Sequence, residues 1–260
     1  MKFVRYDVRG KVKYGIWDDE VVHGIRGTPF YHFRKQSDEI TFDGTTDEAS
    51  TIRLLSPCLP SKVVCLGLNY RSHAEEAKMP IPSLPLIFLK PSTAVIGPDE
   101  EIVLPRDSKR VDYEAELGVV ISRKAKAVLQ DRAKDYILGY TCVNDVSERY
   151  AQAEDGQWTR AKGYDTFAPL GPNITTGIDP DDLKIETYLN GEMRQSARTS
   201  DLIFGIAELV SFISNVMTLL PGDVIATGTP SGIGRMNPGD IVEVRIEGIG
   251  TLRNHVVAAP

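Results

Sequence analysis

The stretch Asp112-Tyr113-Glu114-Ala115-Glu116-Leu117-Gly118-Val119-Val120-Ile121 reads as a strand that runs into a core, with two carboxylates ahead of an apolar run. Side chains two apart on a strand leave the same face, so Glu114 and Glu116 project together beside residues that belong inside. Two carboxylates so placed repel unless a cation or a shared proton compensates; the other reading is a solvated strand edge. A third carboxylate would complete a cation site, and Asp145, after the apolar residues 137–143, can supply it. An all-oxygen set suits Mg²⁺, Mn²⁺ or Ca²⁺ better than zinc. Asp145 has a second explanation, since Asp145-Val-Ser-Glu148 fits a capping box that opens a helix. On that helix Arg149 and Gln152 share a face and can bind a carboxylate from its first turn. The two readings are compatible, because a carboxylate has more than one acceptor position.

Outward from this stretch the chain is a series of short strands bounded by turns. Val4, Tyr6 and Val8 alternate with polar residues, Arg9-Gly10 can turn, and Val12, Tyr14 and Ile16 alternate again, which predicts a hairpin followed by a short strand at Val21-Val22. Further strands are expected at 63–68, 86–89, 113–121, 185–189 before Asn190-Gly191, and 224–227 after Pro221-Gly222-Asp223. Val242, Val244 and Ile246 alternate with Glu243, Arg245 and Glu247 as a half-buried strand. The best helix has Ile206, Leu209, Val210, Ile213 and Met217 on one face, a stripe for the core. Many strands with few helices between them predict a mixed α/β, β-rich fold of antiparallel or mixed sheets, not a doubly wound nucleotide fold. The chain turns polar between about residues 28 and 50, and Pro57 and Pro60 then mark a junction. We therefore expect a small N-terminal domain at 1–56 and a main domain at 57–260.

The 260 residues carry 30 Lys plus Arg against 36 Asp plus Glu, a net charge of −6, which argues against a nucleic-acid partner. With 42% hydrophobic and 25% charged residues, disorder and fibrous repeats are poor readings. No stretch approaches the roughly 18 apolar residues of a membrane span, and MKFVRYDVRGKVKYG has no signal-peptide core, so a cytoplasmic protein without a membrane partner is expected. Cys58, Cys65 and Cys142 form no CxxC pair and read as buried small hydrophobes. His23, His32, His73 and His255 are the histidines, too few for a His-rich metal site. Ser72-x-x-Glu75 fits another capping box, which would place His73 and Glu76 at i and i+3 on a short helix. A carboxylate beside an imidazole makes a general base; a surface pair is the alternative. Lys162 is by itself one basic residue among thirty. The loop from Gly228 to Gly234 is glycine-rich but fits neither phosphate-binding pattern.

In order along the chain, Gly67-Leu-Asn-Tyr-Arg-Ser-His73-Ala-Glu-Glu76, Pro85-Leu-Ile-Phe-Leu-Lys90-Pro91-Ser-Thr, Asp112-Tyr-Glu114-Ala-Glu116-Leu-Gly-Val-Val, Gly139-Tyr-Thr-Cys-Val-Asn-Asp145, Trp158-Thr-Arg-Ala-Lys162 and Pro221-Gly-Asp-Val-Ile-Ala-Thr-Gly-Thr229-Pro-Ser-Gly-Ile-Gly234 resemble the fumarylacetoacetate hydrolase family. The resemblance covers about residues 60 to 247. It implies the family's β-roll, a mixed β-sandwich roll, with a small N-terminal domain similar to that of bacterial homoprotocatechuate-pathway isomerase/decarboxylases, and it implies a homodimer.

By motif position the resemblance implies Glu114, Glu116 and Asp145 as ligands of one Mg²⁺ or Mn²⁺. His73 and Glu76 would be the water-activating or proton-moving dyad on a segment that can close as a lid, and Lys162 would stabilise an oxyanion. Arg149 and Gln152 would hold a small 2-oxo acid, and Thr229 would contact its carboxylate. The activity implied first is hydrolysis of a carbon–carbon bond in an acylpyruvate such as fumarylpyruvate or acetylpyruvate. The alternative is an isomerase/decarboxylase of aromatic-compound catabolism, acting as a 2-hydroxyhepta-2,4-diene-1,7-dioate isomerase, a 5-oxopent-3-ene-1,2,5-tricarboxylate decarboxylase or an oxaloacetate decarboxylase. One constellation serves all of these. A catalytically silent binding module and a nucleotide-binding protein built on residues 228–234 are the readings from other classes; the first would require a lost ligand or dyad residue, and the second lacks its phosphate motif.

Overall fold

A computed structural model of the chain describes residues 1–18, 20–34 and 40–260, with backbone alone at 32–34, so the side chain of His32 lies outside the described residues. The N-terminal hairpin forms as its alternation predicts, Lys2–Val8 against Lys11–Asp18, and Val21–Ile25 and Phe42–Glu48 extend it. Lys2 and Phe3 pair with Thr175 and Ile174 of the strand Ala168–Thr175, so these N-terminal strands continue into a twelve-stranded mixed sheet. Beyond Ala168–Thr175 the sheet proceeds through Ile137–Asn144, Ala115–Ile121, Val224–Ala226 and Lys62–Leu66 to the edge strand Ile87–Pro91. A five-stranded sheet runs Glu192–Arg198, Lys184–Leu189, Ile241–Ile246, Gly250–Ala258, Glu101–Leu104. Its hairpin turns at Asn190 and Gly191, both at positive φ (53° and 81°), the geometry that matches strand twist.

The run that follows Glu116 is apolar throughout because both faces of its strand are covered. Leu117, Val119 and Ile121 pack with Ile185, Val244, Ile246 and Leu252 of the second sheet and with the helix Ile206–Val216, whereas Val120 joins Val63, Leu170, Ile174 and Val224 in a separate cluster. The helix buries Ile206, Leu209, Val210 and Ile213, the stripe read from the sequence, each contributing roughly 1.5–3 kcal/mol through removal from water. Met217 lies one residue past the helix and is only partly buried. Val4, Tyr6 and Val22 form a small cluster of the N-terminal unit, with Trp17, Ile52 and Leu54 against it. All three cysteines are buried and free. Among the described residues no helix is long and apolar enough to cross a membrane. The molecule is β-rich, with mixed sheets and few helices, as the strand pattern requires.

Candidate metal centre

Two antiparallel strands end side by side and carry the acidic residues to one place. Ala115 lies opposite Asn144, so Glu114 and Asp145 are the next residues outward at the same end of the pair. The Glu114 amide donates to Asn144 Oδ1 at 3.0 Å and the Asp145 amide to Glu114 O at 2.9 Å, which closes this end. Residues 113–121 were expected as one strand; the structure breaks them at Glu114. Val111–Tyr113 pairs in a three-stranded sheet with Ser147–Glu148 and Gly234–Met236, and Ala115–Ile121 pairs in the large sheet. Glu114, Glu116 and Asp145 are all buried and each offers an oxygen within 4.8 Å of the others.

Glu114 and Asp145 are matched by cations. Lys162 Nζ, buried in the short helix Thr159–Lys162, donates to Glu114 Oε2 at 2.8 Å and to Asp145 Oδ2 at 2.6 Å. Arg149 donates to Glu114 Oε1 through Nη2, to Asp112 Oδ2 through Nε at 2.9 Å, and to Gln152 Oε1 through Nη1 at 2.9 Å. Burial opposes ionisation of Glu114, but Arg149 and Lys162 overcome it and hold the carboxyl below its ordinary range. Glu116 has no such partner. It accepts one backbone bond, from Gly228 N to Oε2 at 2.9 Å, and its buried Oε1 has no partner. Burial, then repulsion from Asp145 and Glu114, pushes this carboxyl well above its ordinary value. An orphaned carboxylate oxygen in a buried triad whose candidate ligand oxygens lie within 4.8 Å of one another fits a hard divalent cation, which would compete with the proton that burial and repulsion favour on Glu116.

Both capping boxes expected from the sequence are corrected. Asp145 does not cap a helix, because Ser147–Glu148 stays extended to pair with Val111 and Asp112; the helix Arg149–Asp155 starts later, with Glu148 as its N-cap accepting from Ala151 N. The helix Arg71–Glu76 is not capped by Ser72 and Glu75 either. Its N-terminal turn is satisfied from outside, by Asp201 Oδ2, which accepts from Ser72 N at 3.0 Å and Ser72 Oγ at 2.6 Å. The expected pairing on that helix is present, with His73 Nδ1 at 3.3 Å from Glu76 Oε2. Glu76 Oε2 also accepts from Gly232 N at 3.2 Å. One loop thus touches both groups, through Gly228 to Glu116 and through Gly232 to Glu76. Gly232 is obligatory there, at φ +92° with space for a Cβ only 2.3 Å from the Arg194 carbonyl. Thr229, on the same loop, is buried and accepts from Gln195 Nε2 at 2.9 Å.

Two residues at this site were not singled out from the sequence. Lys90, fully buried on Ile87–Pro91, donates to Asp145 Oδ1 and, at 2.8 Å, to Val146 O. Burial pulls its ammonium below the ordinary value and Asp145 opposes that pull. A lysine in an otherwise apolar strand, Ile-Phe-Leu-Lys90-Pro, was the signal available. Gln195 carried none, since it lies on an otherwise mostly exposed strand and reaches the site only through the fold.

Residues 62–257 match the family described as fumarylacetoacetate (FAA) hydrolase C-terminal, and residues 1–57 match one described as Rv2993c-like, N-terminal. The 2,4-didehydro-3-deoxy-L-rhamnonate hydrolase of Sphingomonas sp. is 37% identical over 98% of this chain and 96% of its own. The crystal structure of 5-carboxymethyl-2-hydroxymuconate delta-isomerase from Mycobacterium smegmatis is 46% identical, with a TM-score of 0.92 over 100% of both chains. Maleylpyruvate hydrolase from Sphingobium sp. SYK-6, solved in complex with manganese(II) ion and pyruvate, is 29% identical, with a TM-score of 0.84 over 100% of both chains.

Proposed function

Because the chain belongs to the fumarylacetoacetate hydrolase family, we propose that it is a Mg²⁺- or Mn²⁺-dependent enzyme that hydrolyses a carbon–carbon bond of an acylpyruvate-type 2,4-dioxo acid to pyruvate and a second acid. The observation that carries this reading is the partnerless Glu116 Oε1 inside the buried triad. Glu114, Glu116 and Asp145 would hold the cation, which when bound supplies Lewis acidity to the 2-oxo-carboxylate end of the substrate. Lys162 and Arg149 keep Glu114 ionised and oriented. Glu76 beside His73 Nδ1 leaves Nε2 free to take a proton from water. That water attacks the distal carbonyl, the bond between C3 and C4 breaks, and C3 takes up a proton as pyruvate forms. Support comes from a relative along nearly the whole chain named for hydrolysis of a 2,4-didehydro-3-deoxy acid, and from manganese and pyruvate in the maleylpyruvate hydrolase structure.

The 46% identical isomerase structure favours a second reading, in which the same dyad moves a proton between carbons without water attack. Turnover of acetylpyruvate, fumarylpyruvate, oxaloacetate and a 2-hydroxymuconate-type diacid, followed by ultraviolet absorbance and mass spectrometry with Mg²⁺ or Mn²⁺ and with chelator, separates them. Metal-dependent release of pyruvate plus a second acid is expected. An isomer of unchanged mass, or loss of CO₂, would replace the hydrolase with the isomerase/decarboxylase.

A further inference from the structure

The side-chain amide of Gln195 is saturated, and its orientation follows from backbone groups that cannot exchange roles. Oε1 accepts from Ala115 N at 3.1 Å and from Thr187 Oγ1 at 2.6 Å. Nε2 donates to the Pro230 carbonyl at 2.8 Å and to Thr229 Oγ1 at 2.9 Å. An amide N–H only donates and a carbonyl only accepts, so a flipped amide would face Ala115 N–H with N–H and the Pro230 carbonyl with oxygen. Thr229 Oγ1 is therefore an acceptor toward Gln195, and its own proton must point elsewhere. Among the described residues that buried hydroxyl makes no other hydrogen bond, which leaves a donor without an acceptor. Ala115, the other end of the Gln195 network, stands between Glu114 and Glu116.

We propose that Gln195 is a positioning residue that occupies the acceptor side of Thr229 and so commits the Thr229 hydroxyl to donate to the carboxylate of a bound oxo acid. This rests on the 2-oxo-acid reading of the site. Because the same amide holds Ala115, it also sets the carboxylate donor in register with the strand that bears two candidate metal ligands. No charged residue of the site is spent on this contact, so the anion is recognised by one directed proton whose direction is fixed by a residue 50 to 81 positions further along the chain than the candidate ligands.

The test uses oxalate as the probe, a two-carbon dicarboxylate of the same chelating shape, titrated calorimetrically into the Mn²⁺-loaded full chain. Gln195→Met keeps about the same volume but removes the amide donor, so the Thr229 hydroxyl is no longer committed to donating toward the bound anion. Oxalate affinity is expected to fall at least tenfold while Mn²⁺ affinity without oxalate changes less than twofold. For any oxo acid that turns over, KM rises and kcat stays within threefold. Thr229→Val should lose as much as Gln195→Met, the double variant no more than either, and Thr229→Ser should bind normally. Unchanged oxalate affinity in Gln195→Met, or losses that multiply in the double variant, overturns the proposal. Should Gln195→Met fail to fold, equal oxalate binding by Thr229→Val and Thr229→Ser overturns it just as well, and loss confined to Thr229→Val upholds it. If no substrate turns over while oxalate binding follows this pattern, the functional reading fails and the role of Gln195 stands.

Discussion

Glu116 is a carboxyl kept inside the protein with no cation hydrogen-bonded to it among the described residues, and its neighbours show why that is costly. Glu114 and Asp145 each touch lysine or arginine, whereas Glu116 has one backbone amide and a bare oxygen. Its raised value means that the metal-free fold holds the Glu116 proton more tightly than the unfolded chain does. That tighter hold stabilises the fold fully below the unfolded value of about 4.3 and fades as pH rises through the raised value. Glu114, held low, acts in the opposite sense, its contribution being present above about pH 4.3 and lost below it. Urea unfolding across a pH series should thus show the metal-free protein losing stability above pH 4.3, with Mn²⁺ restoring it; a Glu116→Gln variant should lack both the loss and the rescue. Glu114→Ala or Asp145→Ala should abolish turnover and the metal-dependent rise in melting temperature, a rise worth about 2.7 kcal/mol at a hundredfold excess over the dissociation constant. Retention of normal metal-dependent activity by either variant would remove that residue from the ligand set. Lys90→Met leaves Asp145 with Lys162 alone, and breaking such a buried pair costs about 3–5 kcal/mol, readable as a lower urea midpoint.

At the scale of the element, the short helix Arg71–Glu76 is too brief to hold itself, and its order comes from contacts made at its base. Asp201 accepts from the Ser72 amide and the Ser72 hydroxyl, Arg71 donates to the Leu202 carbonyl at 2.7 Å, and Asn69 donates to the Thr227 carbonyl at 2.7 Å. The Asp201→Ala change removes a cap worth about 1 kcal/mol, so hydrogen exchange of residues 72–77 should quicken and kcat should fall while Mn²⁺ affinity holds. His73→Ala is expected to reduce turnover by about 10²–10⁴-fold, the usual worth of a general base, again without loss of metal binding. Unchanged rates on the best substrate would take His73 out of the reaction. The helix at Ile206–Val216 has a different job. It covers the large sheet, and Leu209→Ala should cost about 2–5 kcal/mol of global stability without altering the affinity of the folded fraction for Mn²⁺.

Across the whole molecule, periodicity and turn chemistry made most strands legible, because alternation of apolar residues and an Asn-Gly turn act over a few positions and need no partner. The helix face at 206–216 was legible for the same reason. The acidic residues could be named as a set, since carboxylates beside an apolar run are unexpected in any local context, and the pairing of His73 with Glu76 follows from helical spacing alone. Other features were set by residues far apart in the chain. The strand break at Glu114 depends on two different sheets competing for its flanks, and Asp145 could not cap a helix once Ser147 and Glu148 paired with Asp112 and Val111, 35 and 37 residues upstream. Lys90, Gln195 and Asp201 reach their partners over separations of 55, 80 and 129 residues, distances at which no local pattern carries information. Local order in the sequence determined which elements form and which residues are chemically unusual. Long-range pairing decided which of those residues meet, because burial removes water as the alternative partner and leaves each charge to be satisfied by whatever the fold brings beside it.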